Sequence, residues 1–117
     1  MNDTFKVAVY GTLKKGYGNH RLLVTAQPIG VGTVEGFRLY SSGIPFLVED
    51  KSSEYDVHVE CYEVNVQQLR SLDLLEGHPD FYERKLVDVR TDTGEMQTMW
   101  IYTYPEPRGV EISTGIY

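Results

Sequence analysis

Two distant segments of the chain carry residue types suited to proton transfer on an acidic small molecule. Leu72-Asp73-Leu74-Leu75-Glu76-Gly77-His78-Pro79 closes an amphipathic stretch and puts Glu76 in its last helical turn. Unpaired carbonyls at a helix C-terminus carry partial negative charge, so a carboxylate placed there resists ionisation. Partial burial acts in the same direction, and the pKa of Glu76 is expected to rise. A Glu poised near neutral pH can serve first as general base and then as general acid. The second segment, Tyr10-Gly11-Thr12-Leu13, leaves a short apolar strand. Gly11 allows a sharp exit, and the amides that follow, with the Thr12 hydroxyl, can donate to a carboxylate. Among the nine tyrosines, Tyr82 lies just beyond the helix end and is best placed to orient a ligand or hydrogen-bond Glu76. Taken singly, each feature also fits a plainer description. Glu76 could be an exposed helix-end acid, Gly11 an ordinary strand-to-loop glycine, and the tyrosines wall residues with hydroxyls at a rim.

Other chemistries are disfavoured by spacing. Gly11 to Gly16 has the outer glycines of a phosphate loop, but Tyr17 and Gly18 stand where that motif needs Lys and Ser/Thr. Cys61 and His58 are an odd number of residues apart on a predicted strand, so they point to opposite faces and cannot form a nucleophile–base pair. His20, His58 and His78 have no ligand spacing and no cysteine cluster, so no metal is expected. Asp73 is about a turn before Glu76, but a paired-carboxylate mechanism needs two facing groups, which the sequence does not show.

The elements that must position these residues are legible in outline. Val7-Ala8-Val9-Tyr10 reads as a buried strand, and Arg21-Leu22-Leu23 as a short helical turn. Gly30 to Tyr40 reads as one or two strands bent at glycines. Ile44 to Val48 is expected at a sheet edge, because Pro45 cannot donate to a ladder. Val57 to Val64 alternates as a strand. Asn65 is placed as N-cap with Gln68 completing a capping box, Leu69, Leu72 and Leu75 follow at helical spacing, and Gly77 and Pro79 end the helix. Leu86–Arg90 and Met96–Tyr104 form a hairpin about Asp92-Thr93-Gly94, and the tail from Pro105 is read as irregular. Roughly six strands and one helix without regular β–α alternation predict an α+β domain on a curled or closed mixed sheet.

At 117 residues the chain is expected to be a single domain, residues 1–117. A net charge of −6 with no Lys/Arg run disfavours a nucleic-acid surface, although a local nest of amides can still hold a small anion. No apolar run is long enough to span a bilayer, and Met1-Asn2-Asp3-Thr4 lacks the basic-then-apolar layout of a signal peptide. A single cysteine, Cys61, leaves no intrachain disulfide and points to a cytoplasmic setting.

At these residues the chain resembles the γ-glutamylcyclotransferase-like family, in its AIG2-like and γ-glutamylamine cyclotransferase branches. Val7 to Leu13 is similar to the family's signature strand and loop, and Gly18-Asn19-His20 to the segment after it. Val34 to Tyr40 followed by Ile44-Pro45 resembles the middle block. Leu72 to Pro79 with Phe81-Tyr82-Glu83-Arg84 resembles the catalytic block, and Trp100-Ile101-Tyr102 the last strand. Val59 departs from the pattern, standing where the family commonly has a glycine before Glu60. The resemblance implies a small barrel with flanking helices that cyclises a γ-glutamyl group to 5-oxoproline and releases the attached amine or amino acid. It implies Glu76 as the acid/base, Tyr10-Gly11-Thr12-Leu13 as the holder of the glutamyl α-carboxylate, and Tyr82 as a site wall. The substrate brings its own nucleophile and electrophile, so no cofactor is required. The alternative is a non-catalytic module that binds γ-glutamyl or other acidic metabolites. Against it, an anion site gains nothing from a nearby carboxylate.

Overall fold

Alternating burial of Val57, Val59 and Cys61 makes one face of a long strand apolar, and that strand becomes the hinge of the fold. The structure is a computed structural model that describes residues 3–117. The signal-peptide expectation at Met1 and Asn2 lies outside the described residues. In chain order the elements are β1 (Thr4–Val9), a 3-10 helix (Gly18–Leu23), β2 (Gln27–Val34), β3 (Phe37–Ser41), β4 (Pro45–Glu49), β5 (Val57–Asn65), α1 (Val66–Glu76), β6 (Glu83–Thr91), β7 (Met96–Thr103) and β8 (Val110–Glu111).

Strands β1-β5-β2-β6-β7 close into a barrel, and β4-β3-β8 form a separate three-stranded sheet. Four of the barrel's neighbour pairs are antiparallel, running from Thr4↔Asn65 in β1–β5 to Arg90↔Met96 in β6–β7. Strands that alternate in direction cannot close an odd-numbered ring without one parallel contact. That contact is β1–β7, with Val7 opposite Trp100. The expected α+β fold on a closed mixed barrel with flanking helices is therefore what the chain adopts.

Alternation along β1 splits its side chains between two cores. Ala8 and Tyr10 join Val59, Cys61, Met99 and Ile101, while Val7 and Val9 join Val64, Leu69, Leu72 and Tyr102 beneath α1. Val59, the departure from the family pattern, is thus a buried core residue.

The ends of α1 follow the sequence closely. The Asn65 side chain accepts from the Gln68 amide, and Gln68 answers on the Asn65 amide, forming a capping box. Gly77 ends the helix in the left-handed conformation at φ 66°. The predicted edge position of Pro45 also holds, since β4 flanks its sheet.

Three expectations are corrected. The tail is not wholly irregular: Val110–Glu111 pair with Tyr40 and Ser41 of β3 as an eighth strand. The short turn at Arg21-Leu22-Leu23 extends back to Gly18. Leu75 does not continue the apolar stripe; it is 39% exposed and Leu74 85%. At about 3.6 residues per turn, Leu69, Leu72, Asp73 and Glu76 share one face, and the leucine pair falls outside it. Among the described residues, no helix is long and apolar enough to cross a membrane.

Candidate active site

The helix phase that expels Leu74 and Leu75 brings two acids onto the face that packs against the barrel. There, Glu76 lines a cleft together with Tyr10, Gly11, Thr12, Leu13, Pro45, Tyr82 and Tyr102. The strand exit and the helix end, more than sixty residues apart in sequence, line one cavity.

Glu76 is half-buried and makes no side-chain hydrogen bond among the described residues. Its pKa is pushed up from 4.5 to about 7, and the cause is burial. At the helix end, local hydrogen bonding reduces the field expected from the terminal carbonyls. Three of the last four carbonyls accept capping bonds: Asp73 O from the His78 amide at 2.9 Å, Leu74 O from Gly77 at 3.3 Å, and Glu76 O from Tyr82 at 3.2 Å. Capping amides offset part of the negative charge of the terminus.

Asp73, one turn earlier, is in the opposite state. Burial pushes its pKa up, but the Arg84 and Tyr102 hydrogen bonds outweigh that and hold it below the ordinary range. Arg84 grips both oxygens, Nε to Oδ1 at 2.8 Å and Nη2 to Oδ2 at 3.2 Å, and the Tyr102 hydroxyl donates to Oδ1 at 2.7 Å. The guanidinium also lies 4.3 Å from the Trp100 ring centroid. One carboxylate is locked as an anion and the other is free to exchange a proton, a division of labour that suits acid–base work.

The loop after β1 presents unused donors. The amides of Gly11, Thr12 and Leu13 have no protein acceptor among the described residues. Consecutive free amides can form an anion-binding concavity. The reason for Gly11 differs from the expected one: its φ is not positive, but a Cβ there would stand 2.3 Å from Cγ of Pro45. Glycine is required for close approach to the cleft wall.

Tyr82 lines the cleft as expected but does not bond Glu76; its hydroxyl donates to the Pro45 carbonyl at 2.5 Å. The Tyr10 hydroxyl likewise donates to the Tyr102 carbonyl at 2.8 Å. Burial raises the pKa of both phenols, with the charge of Glu76 contributing, so they remain protonated donors to those carbonyls. Cys61 and His58 are separated as predicted, with Cys61 buried and His58 exposed.

Sequence reasoning missed Tyr102, Pro45 and the Asp73–Arg84 pair. A signal existed for Asp73, since continuing the Leu69–Leu72 face by helical phase lands on Asp73 and Glu76 instead of Leu75.

The family model for "Gamma-glutamyl cyclotransferase, AIG2-like" matches residues 7–117. A Methanocaldococcus jannaschii protein named as a candidate γ-glutamylcyclotransferase is 42% identical over 113 residues, covering 95% of this chain and 93% of the relative. A Rattus norvegicus γ-glutamylaminecyclotransferase is 39% identical over 94 residues, covering 72% of this chain and 62% of the relative. Among solved structures, an AIG2-like protein from Mus musculus superposes with a TM-score of 0.78 at 33% identity, covering 86% of this chain and 76% of that one.

Proposed function

We propose, taking as premise that this chain belongs to the γ-glutamyl cyclotransferase, AIG2-like family of enzymes, that it converts γ-glutamyl amines or γ-glutamyl amino acids to 5-oxoproline and free amine. Residues 1–117 would form one catalytic domain, and the lone buried thiol is consistent with a cytoplasmic setting.

The reading is supported by one juxtaposition: an unpartnered carboxyl with a pKa near 7 shares a single cleft with three residues whose amides are free. The α-carboxylate of the substrate sits on the Gly11–Leu13 amides and the Thr12 hydroxyl. That places the α-ammonium toward Glu76. Glu76 removes one proton, and the amine lone pair adds to the γ-carbonyl carbon to close a five-membered ring. The tetrahedral adduct collapses with cleavage of the bond to the leaving nitrogen, to which Glu76 returns the proton. The second ammonium proton departs with the amine, which leaves as an ammonium ion.

Holding the glutamyl chain curled supplies proximity worth roughly 7–11 kcal/mol in favourable cases. Positioned proton transfer adds on the order of 10²–10⁴-fold. The rat relative's name specifies γ-glutamylamine, which is why amines stand beside amino acids as leaving groups. The test is a panel of γ-glutamyl amines and amino acids, monitored for 5-oxoproline by mass spectrometry with wild type and Glu76→Gln. Turnover in wild type and its near-abolition in the variant are expected. Near-normal rates in Glu76→Gln would remove Glu76 from its role, and no product across the panel would leave a binding module.

A further inference from the structure

We propose that Asn19 is a positioning residue that fixes the Thr12 hydroxyl as a hydrogen-bond donor to the substrate's α-carboxylate. This role rests on the cyclotransferase reading of the cleft and deepens it. A threonine hydroxyl has one proton and two lone pairs, so beside an anion it helps only when its proton points outward. Left as a free rotor, it would spend part of its time presenting lone pairs to the carboxylate.

The structure removes that freedom. Asn19 Nδ2 lies 2.9 Å from Thr12 Oγ1. The direction of such a bond depends on which way the amide faces, and here a third residue decides it. Arg21 Nη1, shared with the Gly18 carbonyl at the same distance, lies 3.3 Å from Asn19 Oδ1, and a guanidinium can only donate. The Asn19 oxygen therefore faces Arg21, and its NH₂ group faces Thr12. Thr12 Oγ1 accepts from that NH₂ group, and its own proton has no other acceptor among the described residues. That proton is left for the cleft, beside the free amides of Gly11, Thr12 and Leu13.

The 3-10 helix that carries Asn19 is pinned to the same loop a residue later, where His20 Nδ1 lies 3.0 Å from the Leu13 carbonyl. Arg21 to Asn19 to Thr12 is thus a chain of donors whose last member points at the substrate.

A double-mutant cycle on KM tests this. Asn19→Leu in the natural background is expected to raise KM about 3- to 10-fold, the loss of one oriented hydrogen bond, with kcat changed less than KM. The same change in Thr12→Val, which has no hydroxyl, is expected to leave KM unaltered. In Thr12→Ser, which keeps the hydroxyl, the Asn19 effect should persist. An equal rise in all three backgrounds would make Asn19 merely structural and overturn the assignment. So would an unchanged KM in the first. Asn19→Ala, which adds no bulk, replaces Asn19→Leu if that variant fails to fold. Wild type making no 5-oxoproline from any γ-glutamyl compound overturns the cyclotransferase reading and this role together. Activity with an additive cycle overturns only this role.

Discussion

Glu76 and Asp73 lie one helical turn apart, yet they answer to pH in opposite senses. Asp73 is held below the ordinary carboxylate range despite its burial, because Arg84 and Tyr102 saturate it. Glu76 is half-buried without such partners and rises to about 7. In the proposed role of general base it would act in the ionised form, so kcat/KM should climb with pH and level off above about 7. A pH–rate profile of wild type reads that limb directly; a profile flat from 5 to 9 on any active substrate would exclude Glu76 as the titrating base. The same shift has a stability consequence. A folded-state pKa above the unfolded 4.5 means the native state keeps its proton longer, so wild type loses stability as pH rises from about 4.5 to about 7. Glu76→Gln does not titrate and escapes that loss. Discounted for the part of the carboxyl that water reaches, the variant should become more stable than wild type by on the order of 2–3 kcal/mol above pH 7. The difference should fade below pH 4.5, as urea titrations at the two pH values would reveal.

At the level of elements, the two ends of α1 have separable duties. The capping box at Asn65 is a device of local stability far from the chemistry, so Asn65→Ala should cost about 1 kcal/mol. Urea midpoints should register that cost, while kcat/KM at 25 °C stays the same. The exit of β1 is different, because a Cβ on Gly11 would press on Pro45, whose carbonyl anchors Tyr82. Gly11→Ala should therefore cost about 1–3 kcal/mol from overpacking and raise KM together. Loss of stability with unchanged KM would detach this contact from substrate binding. These elements also mark how far the sequence was legible. The capping box, the Gly77 stop, the β6–β7 turn and the alternation of β5 depend on neighbours within a few residues, and all were readable. The β1–β7 contact joins residues over ninety apart, and β8 is two residues long, so neither leaves a local periodicity. Glu76 and the Tyr10–Leu13 loop stood out as cleft-lining segments because their surroundings are local signals, a helix end and a strand-exit glycine. The partner of Tyr82 was not, since a hydroxyl beside both an acid and a carbonyl chooses by geometry that only packing sets. Leu75 was misplaced because a strict three-residue step drifts off the buried face, whereas true helical phase reaches Glu76.

At the level of the whole molecule, the cleft is a small region of donors inside a body of net charge −6. The two scales pull an anionic substrate in opposite directions. At long range the protein repels it, while in the proposed binding mode the free amides of Gly11–Leu13 attract its carboxylate within the cleft. Salt separates these effects, because the screening length shrinks from about 30 Å at 0.01 M to about 3 Å at 1 M ionic strength, and amides in contact with their ligand are screened far less. A γ-glutamyl amino acid carries two carboxylates and one ammonium and so approaches as an anion. A γ-glutamyl alkylamine has one of each and approaches as a neutral zwitterion. Repulsion by the body then predicts that kcat/KM for the amino-acid substrate rises severalfold with added salt, while that for the alkylamine stays nearly flat. Initial rates at low substrate concentration across a salt series measure both. A fall for the amino-acid substrate would mean that local cations at the cleft mouth, with Lys14 the nearest in sequence to the amide cradle, govern approach in place of the overall charge.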